Sequence, residues 1–190
     1  MSQAKTLTQQ ELRRVLDFIA TRKHAARNRA MLLMTHYAGM RVGEVAALRV
    51  EDVLDKVGNV RDEIRLDADQ TKGSRGRVVV VGEKLQKELT KYVTSCKPKS
   101  RDHKLFYTQK RMREGFNANT LANHFHRMYE AVGIEGASSH SGRRSFITNL
   151  ASKGVSVRVL MSLASHRHMS TTQRYIDVND NQLRAAVELI

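Results

Sequence analysis

The 190-residue sequence has one cysteine, one proline and no tryptophan, and aromatic residues make up only 5% of it. A lone Cys96 cannot close an internal disulfide, so a core must hold the fold together and a reducing, cytoplasmic setting fits. Without tryptophan that core is built mostly from Leu, Val, Ile, Met and Ala. No apolar run approaches the roughly 20 residues of a membrane span. The opening MSQAKTLTQQ lacks the apolar stretch of a signal peptide. A soluble protein with no membrane partner is expected. There is no glycine-rich P-loop, which argues against nucleotide hydrolysis. His124-x-His126 and His166-x-His168 are poor chelates, because residues two apart on a helix point in different directions. Neither a metal nor another cofactor is expected.

Acidic residues are also scarce: 19 Asp and Glu face 33 Lys and Arg, a net charge of +14. Such a balance suits a polyanionic partner, nucleic acid first and membrane surface second. The charge is dispersed along the chain rather than gathered in a tail, which favours a folded binding face.

The length fits one compact domain, and the patterning predicts mostly helix. Thr8-x-x-Glu11 reads as a capping box, and Leu12, Val15, Leu16 and Ile19 follow it on one apolar face. Ala30, Leu33, Met34 and Tyr37 mark a second helix over 25–38, stopped by Gly39, and a short helix over 42–48 comes next. Between Gly58 and Val81 the grammar changes to alternation, with Ile64 and Leu66 on one side and Arg77-Val-Val-Val-Val81 on the other. A small antiparallel sheet is expected, with Lys72 to Gly76 as its turn. Helices are expected again over 83–93, from a cap at Asn117 or Asn119 to Val132, over 139–153, and along the stripe Val157, Leu160, Met161 and Ala164. Ser170-x-x-Gln173 reads as another capping box, and Leu183, Ala186, Val187 and Ile190 form a last stripe. The expected fold class is mainly α with a small antiparallel β-sheet (α+β), as a single domain over 1–190.

Four segments carry candidate chemistry. In Gly39-Met40-Arg41-Val42-Gly43-Glu44, Arg41 sits at a helix start, where backbone donors and a guanidinium fork suit a phosphate. Glu44, three residues on, lies on the same face. Lys72 occupies the hairpin turn. In His140-Ser141-Gly142-Arg143, the i, i+3 spacing puts a proton-moving imidazole beside a bidentate phosphate clamp. In Ser165-His166 through Gln173-Arg174-Tyr175, a break in the helical path would let His166 and Tyr175 reach one site. Taken alone, each segment reads more readily as ordinary surface: an exposed ion pair, a solvated lysine, a chance His-x-x-Arg, a half-buried tyrosine with its hydroxyl in water.

Their order is what gives them meaning. Arg with Glu three residues on, a hairpin Lys, His-x-x-Arg, and a His followed nine residues later by Tyr resembles the tyrosine recombinase (phage integrase) family, over about 8–178. The resemblance implies a recombinase fold and site-specific DNA cleavage and rejoining. Tyr175 would attack the phosphorus to give a 3′-phosphotyrosyl bond. Arg41 and Arg143 would hold the non-bridging oxygens, Lys72 would protonate the leaving 5′-oxygen, and His140 and His166 would assist. Glu44 would support the site from behind.

The resemblance further implies double-stranded DNA as partner, self-association into dimers or tetramers on DNA, accessory DNA-bending proteins, and a cytoplasmic, nucleoid-associated location. Two alternatives share these features: a DNA-binding regulator without turnover, and a type IB topoisomerase-like relaxing enzyme. The latter typically carries Lys where this chain has His140. Four positions depart from the family's usual pattern, among them Arg144 where a second His is common. Gly142 stands where Leu is common, Ser165 where Gly is common, and Asn149 where His is frequent. A glycine at 142 should weaken its helix by up to about 1 kcal/mol relative to Ala. The N-terminal helical domain of most members is not expected in this chain.

Overall fold

The computed structural model describes residues 4–71, 75–108, 114–176 and 187–188. Helix α1 (Gln9–Ala20) starts at the expected capping box: Thr8 Oγ1 accepts from the Glu11 amide and Glu11 returns to the Thr8 amide. Helix α2 (Ala25–Tyr37) was expected to carry one apolar stripe. Instead the run Ala30–Met31–Leu32–Leu33–Met34 is buried all round. The reason is its central position, with α1 against one side, and α5 (Glu83–Cys96) and α7 (Ser141–Ser152) against others.

Short helices α3 (Val42–Ala47) and α4 (Val50–Val53) follow, the second of which has no periodic signature in the sequence. Strands β1 (Glu63–Leu66) and β2 (Arg77–Val80) pair antiparallel, Glu63 opposite Val80 and Leu66 opposite Arg77. The alternation sends Ile64, Leu66 and Val79 inward while Val78 and Val80 face out. Helix α6 (Ala118–Ala131) is capped by Asn117, whose Oδ1 accepts from the Thr120 amide at 2.8 Å. Helix α8 (Val157–Ala164) and the single-turn α9 (Met169–Gln173) complete the described fold. Among the described residues no helix is long and apolar enough to cross a membrane.

Two expectations change. Helix α9 begins at Met169 with His168 as its N-cap and no side-chain capping bond, so Ser170 lies inside the helix rather than capping it. Gly142 lies at the contact between α7 and α2. A β-carbon there would stand 2.1 Å from Thr35 Oγ1 and 2.9 Å from Thr35 Cβ. The close approach of the two helices therefore requires glycine, and their packing offsets its poor helix propensity. The terminal stripe from Leu183 lies outside the described residues, except for Val187, which is exposed.

Candidate active site

The site is built from the ends of elements. Gly39 takes φ 60° just after α2 and Arg41 becomes the N-cap of α3. One turn into α3, the Glu44 side chain is 1% exposed. Its Oε1 accepts from Arg41 Nη1 at 2.8 Å, and its Oε2 accepts from the Arg41 amide and from Arg77 Nη2, each at 2.8 Å. Arg77 is the inward-facing first residue of β2 and also donates to Leu163 O at 3.1 Å. One buried carboxylate thus fixes two guanidiniums and ties the return strand of the hairpin to α3. Burial presses the Arg77 guanidinium below its usual range, Glu44 opposes this, and Arg41 adds to it.

Arg143 enters from the first turn of α7, where His140 is the N-cap. The tight seating of Gly142 on α2 carries Arg143 inward. Its Nη1 donates to Gly39 O at 2.6 Å and its Nη2 to Ala164 O. Burial, with Arg41 and Arg77 nearby, pushes its pKa down to about 9, which still leaves it cationic at neutral pH. His140 is exposed while Arg143 is buried, and both border the same cleft.

The turn that brings His166 back is made by Ser165, at φ 49° and ψ 51°. The His166 amide closes the helix end by donating to Met161 O at 3.1 Å. His166 Nδ1 lies 2.9 Å from the hydroxyl of buried Thr172, which locks the imidazole to α9. Tyr175 follows one turn later, and its ring stacks on His166 with centroids 5.8 Å apart and planes at 19°. The left-handed region that Ser165 occupies costs a non-glycine residue on the order of 1 kcal/mol. Ser165→Gly is therefore expected to raise the melting temperature by about 1–3 °C, read by thermal unfolding.

Arg41, His140, Arg143, Arg144, His166 and Tyr175 line this one cleft. Lys72 lies outside the described residues. Its neighbours Thr71, Arg75 and Gly76 line a second recess that shares Arg41 and His166 with the cleft. Sequence reasoning missed Arg77, although the period-2 pattern that buries Val79 also points Arg77 inward. It also missed Thr172, for which no sequence signal stands out.

Burial, reinforced by Arg143, Arg41 and Arg77, pushes His166 down to about 4, and burial alone does the same to His36. A histidine with a folded pKa below its unfolded value of about 6.5 costs stability as pH falls, because the unfolded chain binds the proton first. The loss runs from about pH 6.5 to about pH 4 and is complete below that. Buried His36 is expected to contribute on the order of 2–3 kcal/mol, and half-buried, solvent-screened His166 less. Urea unfolding at stepped pH should show this fall, and His36→Leu should flatten it.

A profile of the phage integrase family matches residues 5–182. The tyrosine recombinase XerA of Thermococcus kodakarensis is 31% identical over 185 residues, covering 97% of this chain and 62% of the relative. The tyrosine recombinase XerD of Oceanobacillus iheyensis is 30% identical, covering 94% of this chain and 59% of the relative. The chain thus spans about three fifths of the length of these curated relatives. The crystal structure of XerA recombinase superposes with a TM-score of 0.77 at 24% identity, covering 100% of this chain and 66% of that one. The Tn1549 transposon integrase in complex with transposon right end DNA gives 0.74 at 18% identity, covering 100% and 67%. At these identities the superpositions establish a shared fold, mostly helical with a small antiparallel sheet.

Proposed function

The chain belongs to the phage integrase family, and from that premise we propose that it is the catalytic domain of a site-specific DNA recombinase acting through Tyr175. The observation that carries the reading is a tyrosine stacked on a histidine in a cleft that is also lined by buried Arg143 and by Arg41, each fixed by hydrogen bonds. Glu44 pairs with Arg41 and Arg77, while Arg143 is held only by the carbonyls of Gly39 and Ala164, so the site keeps an excess of positive charge that suits a phosphate.

Tyr175 Oη attacks the phosphorus of a DNA phosphodiester. The P–O5′ bond breaks, a 3′-phosphotyrosyl bond forms, and the 5′-oxygen leaves as a hydroxyl. A phenol is a poor nucleophile at neutral pH, so it needs a neighbouring base and a positive field. His166, held neutral by its surroundings, can take up a proton, and with Nδ1 engaged by Thr172 its Nε2 is the nitrogen left for that exchange. Arg41 and Arg143 stabilise the charge gathering on the non-bridging oxygens without having to reorganise. His140 stands at the mouth to hydrogen-bond the phosphate. Lys72 supplies the proton to the 5′-oxygen; the borders of its segment lie beside Arg41 and His166.

The covalent bond conserves the energy of the phosphodiester, so strands can be exchanged and resealed without ATP. Double-stranded DNA is the partner, bound largely through phosphate contacts and so with strong salt dependence. Self-association on paired sites, accessory bending proteins and residence with the nucleoid belong to the same proposal.

The test is incubation with a nicked suicide duplex carrying the target site, followed by a denaturing gel. A covalent protein–DNA band is expected. No band on the protein's own target would sink the reading. Supercoil relaxation without sequence preference would favour a topoisomerase-like activity instead.

A further inference from the structure

We propose that Arg144 is a positioning residue for Tyr175, clamping the phenol ring in place for attack; this rests on Tyr175 being the nucleophile. Arg144 follows Arg143 on α7 but points elsewhere. Its guanidinium carbon lies over the Tyr175 ring, 5.3 Å from the centroid, within the range of a cation–π contact. Its Nε donates to Thr6 Oγ1 at 3.1 Å, so the guanidinium is anchored to the segment that precedes α1.

That anchor is itself fixed. The segment preceding α1 is held to α7 by the Leu7 amide, which donates to buried Ser145 Oγ at 2.8 Å. It is held to the α6–α7 connection by the Lys5 amide, which donates to Gly136 O at 3.1 Å. Thr6 lies between these two bonds, and Arg144 carries its placement to the tyrosine.

Tyr175 needs such a restraint. It sits in the turn after a single-turn helix, with its amide bonded to Thr172 O at 3.0 Å. A backbone of that kind leaves the ring several orientations. The His166 stack and the Arg144 guanidinium are what restrict it. The contact has a second consequence. A cation over a π face binds more tightly as the ring gains negative charge, so the clamp strengthens as the Oη proton departs. The arginine therefore favours the attacking state over the resting one.

Three measurements on the whole chain test this. Arg144→Gln should lower the rate of adduct formation on a suicide duplex by about 10–100-fold, the usual effect of slight misplacement of a reacting group. DNA affinity should stay within about twofold, and Arg144→Lys should recover part of the rate. Thr6→Val, which removes only the anchor, should lower the rate in the same direction, and it stands in where Arg144→Gln lowers the melting temperature. In the protein without DNA, the Arg144 Nε–H resonance should shift in Tyr175→Leu and keep its place in Tyr175→Phe, because only the former removes the ring.

Wild-type rates in both Arg144→Gln and Thr6→Val would overturn the proposal. So would a loss of affinity that matches the loss of rate, which would make Arg144 a phosphate contact. So would a resonance indifferent to Tyr175→Leu. A wild-type protein that forms no adduct would instead overturn the nucleophile assignment itself, and the resonance would still report whether the clamp exists.

Discussion

Tyr175→Phe is expected to abolish the covalent protein–DNA adduct while leaving DNA affinity within about twofold. The substitution removes one oxygen and keeps the ring. The stack on His166 and the guanidinium of Arg144 both act on the ring, so the local geometry should survive. What disappears is the oxygen proposed to bond to phosphorus. Loss of a nucleophile typically costs on the order of 10⁴-fold or more in rate. On a gel that separates denatured protein from labelled DNA, the shifted band should vanish at every time point.

No other tyrosine is placed to take over. Tyr92 and Tyr129 are buried in the core, and burial pushes both phenols well above their usual range. Tyr37 packs against His36 and borders a different recess, and Tyr107 borders another beside Tyr92. An adduct that persisted in Tyr175→Phe at the wild-type rate would therefore remove the central assignment rather than shift it to a neighbour.

The parts of this site that sequence could reveal are those whose chemistry follows chain order. Arg41 with Glu44, His140 with Arg143, and His166 nine residues before Tyr175 are legible because fixed spacings on helix ends map to fixed relations in space. The small sheet was legible because alternation is a short-range signal. What escaped were partnerships across distant segments. Arg77 and Glu44 are 33 positions apart, and Thr6 and Arg144 are 138 apart. Nothing local in either pair announces the other.

Gly142 and Ser165 show a related limit. Each departs from the family's usual residue, and local propensity could only score the change. At Gly142 the structure supplies the missing term, Thr35 of α2 pressed against α7. At Ser165 it shows the reverse: a turn that glycine would make more easily is made by serine at a cost.

Glu44→Gln is expected to destabilise the protein by about 3–5 kcal/mol and to lower the rate of adduct formation, although Glu44 never meets the DNA. The carboxylate is 1% exposed and receives three charge-assisted or backbone donors. Glutamine keeps the shape but cannot offer two anionic oxygens, and its amide hydrogens would face a guanidinium. Arg77, itself buried, would keep its charge and lose its counter-ion, which is the costly outcome when one half of a buried pair is removed. Arg41 would lose the bond that orients its fork, and the return strand bearing Arg77 would lose its tie to α3.

A double variant separates these effects. Glu44→Gln with Arg77→Met removes the carboxylate and the stranded cation together. Urea unfolding should show it less destabilised than the sum of the two single variants by at least about 1 kcal/mol, the signature of a coupled pair. Its adduct rate should stay low, since Arg41 is still unsupported. Simple additivity would mean that Glu44 and Arg77 are neighbours without mutual dependence. The view of Glu44 as the keystone between hairpin and phosphate clamp would then fail.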